Sequence, residues 1–158
     1  MQHATLCMLI DENTQQIILG MKKRGFGAGK YNGFGGKPKG TETIKDAAVR
    51  ELYEEAGVCI DKEHLSETAE LTFLFPHVPE EKNWNQIVHV YLIKKWAGTA
   101  AESDEMKPES FPLARIPYSQ MWVDDQHWLP LVLQGKYVKA TFVFGKEQEI
   151  VEKTVQSL

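Results

Sequence analysis

The feature that most constrains this chain is a single stretch, GFGGKPKGTETIKDAAVRELYEEAGV, which runs from residue 33 to residue 58. Its glycines favour turns and close backbone approaches, so the first part is expected to be an irregular loop. Thr43 is a suitable helix N-cap, Asp46 falls in the first turn, and Gly57 is typical of a helix end. The stretch therefore predicts a glycine-rich loop followed directly by a helix that carries several carboxylates.

That helix places Glu51, Glu54 and Glu55 on one face about 100° wide, where like charges repel at about 0.2–0.5 kcal/mol per pair. An acidic helix face is usually solvated, but this one borders the arc expected to pack on the core. The arc comprises Ile44, Ala48, Val49, Leu52, Tyr53 and Ala56. Partly buried carboxylates either take up protons or bind a cation, and several oxygens beside a phosphate suit Mg²⁺. The pattern therefore favours a divalent cation and a phosphorylated ligand.

Other motifs for phosphate or calcium do not fit. A Walker A loop needs Ser or Thr after Gly-Lys, but Gly36-Lys37 is followed by Pro38. The dinucleotide fingerprint needs a third glycine at the position where GFGAGK has Lys30. The Asp-x-Asp-x-Asp-Gly loop of a calcium-buffering protein is also missing from the sequence. The phosphate site predicted here is therefore of another kind.

Length and composition limit the classes of protein that the chain could represent. One domain over residues 1–158 is expected from the length, and a formal net charge of −4 opposes binding to nucleic-acid polymers. Cys7 and Cys59 are expected to be reduced, partly buried thiols. The N-terminal residues lack a basic start and a long apolar segment, and no apolar run reaches membrane-spanning length. We therefore expect a cytoplasmic monomer that acts on a small molecule and has no membrane partner.

The remaining elements follow from apolar alternation and turn signals. Strands are expected at residues 3–10, 15–22, 69–75 and 85–96, with a closing hairpin at 136–145 and 148–155, whereas 25–40 and 98–112 are expected to be loops. A second helix is expected over 118–136, starting near Ser119, with Pro130 kinking or ending it. Mixed strands interrupted by two helices indicate a layered α/β domain.

The central stretch resembles the signature of the Nudix hydrolases. Gly36 is followed after five residues by Glu42, and after seven more by the run from Arg50 to Val58, RELYEEAGV. Members of this family use magnesium to cleave nucleoside diphosphates that are linked to another group. The resemblance implies an α/β/α sandwich with a mixed β-sheet and a loop–helix–loop catalytic motif.

The resemblance continues outside the signature. The segments LGMKKRGFGAGKYNGFGGK, ESDEM and IPYSQMWVDDQHWLPLVLQGK are similar to those of animal MutT-like members of the family. These members hydrolyse oxidised purine nucleoside triphosphates such as 8-oxo-dGTP and 2-hydroxy-dATP to the monophosphate and pyrophosphate, with Mg²⁺ as cofactor and Mn²⁺ as a substitute. The clearest departures are the loop at residues 76–86, which is longer than the resemblance implies, and PKGT within the signature.

The resemblance also implies roles for individual residues. The carbonyl of Gly35 and the carboxylates of Glu51, Glu54, Glu55 and Glu105 are expected to bind the metal or activate water. Arg50 is expected to orient a neighbouring glutamate through a bidentate pair. Contacts with the substrate are expected from Thr5, Lys22, Phe26, Asn32, Phe34, Gly35, Gly36, Lys37, Phe73, Trp122, Asp124 and Asp125.

Asp124 and Asp125 carry the most specific hypothesis. Adjacent acids near a helix start ordinarily complement the helix dipole at the surface. Beside Trp122 they could instead read a purine edge, because an ionised carboxylate accepts from guanine N1–H and N2–H, whereas a protonated one donates to O6. A pair that shares a proton would let one pocket accept both oxidised guanine and oxidised adenine.

Two alternatives stay open at this point. The first is a diphosphatase of the same family that acts on another linked nucleotide, such as a dinucleoside polyphosphate or ADP-ribose. The second is a nucleotide-binding sensor that has lost catalysis. The set of Glu51, Glu54, Glu55 and Glu105 argues against the sensor, since a protein that only binds need not keep every acid.

Overall fold

A mixed eight-stranded sheet with one helix on each face forms the framework of the computed structural model, which describes residues 1–158. The strands are β1 Gln2–Asp11, β2 Gln16–Lys22, β3 Tyr31–Asn32, β4 Glu67–Leu74, β5 Gln86–Ile93, β6 Met106–Pro112, β7 Val138–Phe144 and β8 Ile150–Ser157. The helices are α1 Ile44–Ala56 and α2 Asp125–Leu133. Neither helix is long and apolar enough to cross a lipid bilayer.

The order of the strands leaves part of β1 free for another segment. The order of neighbouring strands in the sheet is β3-β2-β1-β5-β4-β7-β8. The strand β6 lies outside this order and pairs with β2. The β1–β5 and β4–β7 pairs are parallel, and the other pairs are antiparallel. Because β2 pairs with β1 only over Leu9–Asp11, the preceding residues of β1 bond instead to the glycine-rich loop, through Thr5 and Cys7.

Alternation along β1 creates a core on each face of the sheet. Met8 and Ile10 belong to the larger cluster, which includes Trp128 of α2, whereas Cys7 and Leu9 belong to the smaller cluster beneath α1. The two clusters make the sheet the middle layer of an α/β/α sandwich. The predicted fold class is thereby confirmed.

The helix α1 forms as the sequence predicts. Thr43 accepts a hydrogen bond from the Asp46 amide, the Asp46 side chain accepts one from the Thr43 amide, and Gly57 ends the helix with φ of 70°. The buried face differs in one respect from the predicted arc. Tyr53 is 59% exposed, while Glu55 is only 6% exposed. The helix is therefore rotated toward its acidic side, which places a carboxylate against the sheet.

Four local predictions are wrong. Residues 25–40 are not all loop, since the two-residue strand β3 pairs with β2. Residues 98–112 are not all loop, since β6 pairs with β2; only Met106 of this edge strand is buried, so its sequence shows no apolar alternation. The helix α2 begins at Asp125, after a 3₁₀ turn at Tyr118–Gln120, and includes Pro130 in its interior. Cys7 is buried as expected, but Cys59 is exposed, and both thiols are free.

Candidate active site

A cavity of about 390 Å³ opens beside β1 and gathers residues that are far apart in the sequence. It is lined by all of the predicted substrate-binding residues except Phe34, namely Thr5, Lys22, Phe26, Asn32, Gly35, Gly36, Lys37, Phe73, Trp122, Asp124 and Asp125. Of the predicted catalytic and metal-binding carboxylates, Glu55 lines the cavity. The cavity thus joins Glu55 of α1 to the Asp124–Asp125 pair at the start of α2, and because these helices pack on opposite faces of the sheet, we call the two groups its two ends.

Phe34 lies in the core, and the prediction that it lines the binding site is wrong. Its main chain pairs with that of Cys7, and its ring is fully buried in the cluster beneath α1. Successive side chains of an extended segment point to opposite faces, so a loop that presents Gly33 and Gly35 to the cavity turns Phe34 away from it.

The glycine-rich loop lies against β1 more closely than any side chain would allow. The Thr5 amide donates to the Gly36 carbonyl over 2.8 Å, and the Thr5 hydroxyl lies 3.2 Å from both polar backbone atoms of Gly36. A Cβ at Gly35 would stand 1.8 Å from the Thr5 carbonyl oxygen, and one at Gly36 would stand 2.5 Å from the Glu51 carboxylate. Glycine is therefore required at residue 35, where a Cβ would meet backbone, whereas at residue 36 the Glu51 side chain would have to move.

Glu55 is the carboxylate that the fold buries at the cavity. Its Oε1 accepts a hydrogen bond of 2.8 Å from the Gly35 amide. Burial raises the pKa of Glu55 to about 7, and this effect exceeds the opposing one of the Gly35 hydrogen bond. The nearby charge of Glu51 raises it further. Glu55 thus titrates near neutral pH, which is the property expected of a group that exchanges a proton or awaits a cation.

The side chain of Arg50 donates hydrogen bonds to four residues of the loop and helix. Its guanidinium donates to both oxygens of Glu42, over 2.7 and 3.0 Å, and to the Lys37 carbonyl over 3.0 Å. Its Nη1 also donates to Glu51 over 2.9 Å and to Glu54 over 3.2 Å. Arg50 therefore holds two of the predicted metal-binding carboxylates in defined positions, as a bidentate group can. Glu42, which the signature contains, was not among the predicted site residues.

The chemistry of the donor set fits a hard divalent cation, because it consists of carboxylate oxygens with a main-chain carbonyl nearby. In the present side-chain conformation, however, no group of three or more acidic, histidine or cysteine side chains is arranged to hold an ion. Glu51 and Glu54 face Arg50. Glu105, just before β6, pairs with Lys22 at 3.5 Å and with Arg24 at 3.4 Å.

At the opposite end of the cavity, Asp124 and Asp125 are buried, with exposures of 4% and 3%. The indole Nε1–H of Trp128 donates to Asp124 Oδ2 over 2.9 Å, whereas Asp125 Oδ2 is buried without a partner. Burial raises the pKa of both groups, and the proximity of Asp124 raises that of Asp125 further. The pair is therefore not a surface complement to the helix dipole.

Several cavity residues were not predicted from the sequence. They include Ala4, Leu6, Gly27, Phe75, Gln86, Val88, Met106 and Phe144. Strand alternation contained part of this information, because Phe75 lies two residues beyond Phe73 and Val88 lies two beyond Gln86. Met106 and Phe144 could not be inferred, since β6 was not predicted and the position of β7 depends on tertiary structure.

Together these features define an α/β/α-sandwich protein whose loop–helix–loop segment supplies the carboxylate of Glu55 to a cavity. The NUDIX domain model matches residues 1–132, and the chain belongs to the NUDIX family. Members of this family generally use a divalent metal ion.

Relatives and solved structures agree with this assignment. The chain is 42% identical to the mouse oxidized purine nucleoside triphosphate hydrolase, over 91% of this chain and 88% of that one. It is 47% identical to the zebrafish protein of the same name, over 87% and 84%. The fold is similar to that of a MutT protein of Bacillus halodurans, with a TM-score of 0.82, 19% identity and coverage of 99% and 98%.

Proposed function

We propose that this chain is a magnesium-dependent hydrolase of oxidised purine nucleoside triphosphates such as 8-oxo-dGTP and 2-hydroxy-dATP. It would release the monophosphate and pyrophosphate, and so remove damaged precursors from the nucleotide pool. The observation that carries this proposal is one cavity with the Asp124–Asp125 pair at one end and Glu55 at the other. The names of the mouse and zebrafish relatives support the same substrate class.

The buried acids supply a physical basis for selecting the base. Asp125 Oδ2 is buried without a hydrogen-bond partner, an arrangement that costs free energy until a ligand donates to it or it holds a proton. Trp128 fixes Asp124 through one oxygen, so the pair presents a defined edge to the cavity. One proton shared between the two carboxyls would match either a purine edge rich in donors or one with a carbonyl acceptor.

The other end of the cavity suits a triphosphate. Lys22 and Lys37 line it and supply positive charge, and Gly36 also contributes to its lining. Glu51 Oε2 and Glu54 Oε1, the oxygens that Arg50 does not bond, would move toward Glu55 to complete a set of hard oxygen ligands with the Gly35 carbonyl. The cation would offset the negative charge on the transferring phosphoryl group.

The chain's own residues would then position the reaction. Arg50 orients the two carboxylates that it bonds, and Glu55 can hold a proton near neutral pH. Water attacks phosphorus, the phosphoanhydride bond between the α and β phosphates breaks, and the proton of the attacking water passes to a carboxylate or to solvent. We also propose that the enzyme acts as a cytoplasmic monomer. Its substrates would be free nucleotides, since a net charge of −4 disfavours binding to nucleic-acid polymers.

The test is a substrate panel in which all nucleotide and phosphate products are separated by chromatography and quantified at several magnesium concentrations. The panel contains oxidised, methylated and unmodified purine nucleoside triphosphates, a dinucleoside polyphosphate and ADP-ribose. We expect the highest kcat/KM for an oxidised purine triphosphate and a loss of turnover by orders of magnitude in Glu55→Gln. Preference for ADP-ribose or the dinucleoside polyphosphate would replace the proposed substrate class, and tight binding without turnover would indicate a sensor.

A further inference from the structure

Four aromatic side chains from separate segments form a continuous row beside the base end of the cavity. Between ring centroids, Phe26 lies 5.0 Å from Trp122 and 4.9 Å from Trp84, and Trp84 lies 5.6 Å from Phe75. We call these four side chains the aromatic rim. Phe26, Phe75 and Trp122 line the cavity, whereas Trp84 is outside its lining. Trp84 therefore contacts Phe26 and Phe75 but does not itself line the cavity.

Phe26 is the exposed member of the rim that reaches the cavity. It is 53% exposed and belongs to the loop between β2 and β3. Within this loop the Ala28 amide donates to the Gly25 carbonyl and the Lys30 amide to that of Gly27, both over 3.1 Å. These bonds shape the backbone but leave the ring of Phe26 to be held by its aromatic neighbours.

The segment that presents Trp84 is fixed by contacts of its own. The Phe75 amide donates to Asn85 Oδ1 over 2.7 Å, which ties the two ends of the segment together. The Val78 amide donates to the Phe75 carbonyl over 3.0 Å, and the Val78 side chain packs against the larger core. Trp84 is thus placed without help from Phe26, so it can act as a support for that ring.

We propose that Trp84 is a positioning residue, which holds Phe26 against Trp122 so that the aromatic rim closes on a flat fused-ring base. The inference rests on the proposed function, in which a purine occupies this end of the cavity. Trp84 is itself 38% exposed, and two large exposed aromatics in contact at a cavity rim are typical of a binding surface. An aromatic pair of this kind shifts an equilibrium by roughly twofold to tenfold.

The kinetic test compares Trp84→Ala, Trp84→Phe, Phe26→Ala and the double alanine variant. Trp84→Ala should raise KM roughly threefold to tenfold with kcat within about twofold, because Glu55 is at the other end of the cavity. The factor should be the same for 8-oxo-dGTP and dGTP, since stacking reads the ring and not its edge. Trp84→Phe should restore KM, and the double variant should be no worse than Phe26→Ala.

A second measurement needs no nucleotide. In Trp84→Ala, amide hydrogen exchange at residues 25–30 should accelerate, while the exchange of β1 stays unchanged. Unaltered exchange at 25–30, or KM losses that add in the double variant, would overturn the inference. If the wild-type enzyme shows no preference for oxidised purines, the proposed function fails. In that case the role of Trp84 is still decided by the hydrogen-exchange data. The single and double alanine variants are then compared on whichever purine nucleotide the enzyme hydrolyses.

Discussion

The Gly35 amide donates a 2.8 Å hydrogen bond to Glu55 Oε1, and this contact joins the glycine-rich loop to the last turn of α1. The same loop pairs with β1, so the position of the carboxylate is tied to the sheet. Glu55 consequently loses most of its water, and its pKa rises to about 7. A single local contact thereby links the fold to the protonation state of a cavity carboxylate.

The buried Glu55 makes stability depend on pH in the metal-free protein. Its folded pKa of about 7 lies above the value of about 4.3 for an unfolded Glu. Burial therefore favours the protonated form, and the wild type loses stability relative to Glu55→Gln as pH rises from about 4.3 through 7. The full difference is at most about 4 kcal/mol. Denaturant unfolding in a chelator between about pH 5 and pH 8 measures it, and a difference that is independent of pH would contradict the burial argument.

Metal binding and activity should be sensitive even to a substitution of Arg50 that keeps its positive charge. Arg50→Lys retains one cation but loses the planar group that bonds Glu42, Glu51 and Glu54 together. We expect metal affinity or kcat/KM to fall by about 10- to 100-fold. Lys94→Ala, which removes a surface pair with Glu12, is the control and should change little. Equal effects of the two variants would show that Arg50 is an ordinary surface ion pair.

Alanine at the two neighbouring glycines should have different consequences. In Gly35→Ala the new Cβ meets the backbone of Thr5, which cannot move without separating the loop from β1. We therefore expect the free energy of unfolding to fall by about 1–3 kcal/mol or more. In Gly36→Ala it meets the flexible Glu51 side chain, so activity should fall more than stability. Thermal unfolding and kcat/KM separate the two effects. The reverse order would mean that the loop does not lie as described.

Replacement of Asp125 should alter substrate choice and its pH dependence together. Because the pKa of Asp125 is raised, its proton is present at low pH and lost as pH rises through that pKa. Asp125→Asn removes this titration, so the ranking of 8-oxo-dGTP against 2-hydroxy-dATP should change by about 5-fold or more and become less dependent on pH. The exposed Asp104→Asn serves as the control. An unchanged ranking and an unchanged pH profile would exclude the shared-proton hypothesis.

Local sequence signals were sufficient to predict the helix α1 but not its surroundings. Thr43, Asp46 and Gly57 define α1 through contacts within a few residues, which a sequence displays directly. The exposure of Tyr53 and the burial of Glu55 depend on how the helix is rotated against β1, and helical periodicity alone does not fix that rotation. The sequence therefore indicated the acidic face of α1 but not which of its acids the fold would bury.

The lining of the cavity was likewise predicted only in part, because some of it depends on tertiary structure. Resemblance located most of its lining, whereas Phe34 was misassigned because the side of an extended loop that faces the ligand is set by its pairing with Cys7. The strand β6 was missed because it lies at an edge, buries little and contains Pro108. Trp84 comes from the segment in which the chain departs most from the family pattern, so only the three-dimensional contacts connect it with Phe26.

The most direct test of this account is a crystal of the protein with Mn²⁺ and a non-hydrolysable analogue of 8-oxo-dGTP, measured at a wavelength that gives anomalous scattering from manganese. We predict an anomalous peak between the phosphate oxygens and Glu51, Glu54 and Glu55, with Arg50 still bonded to the other oxygens of Glu51 and Glu54. An analogue bound in the cavity with no peak there would contradict the account.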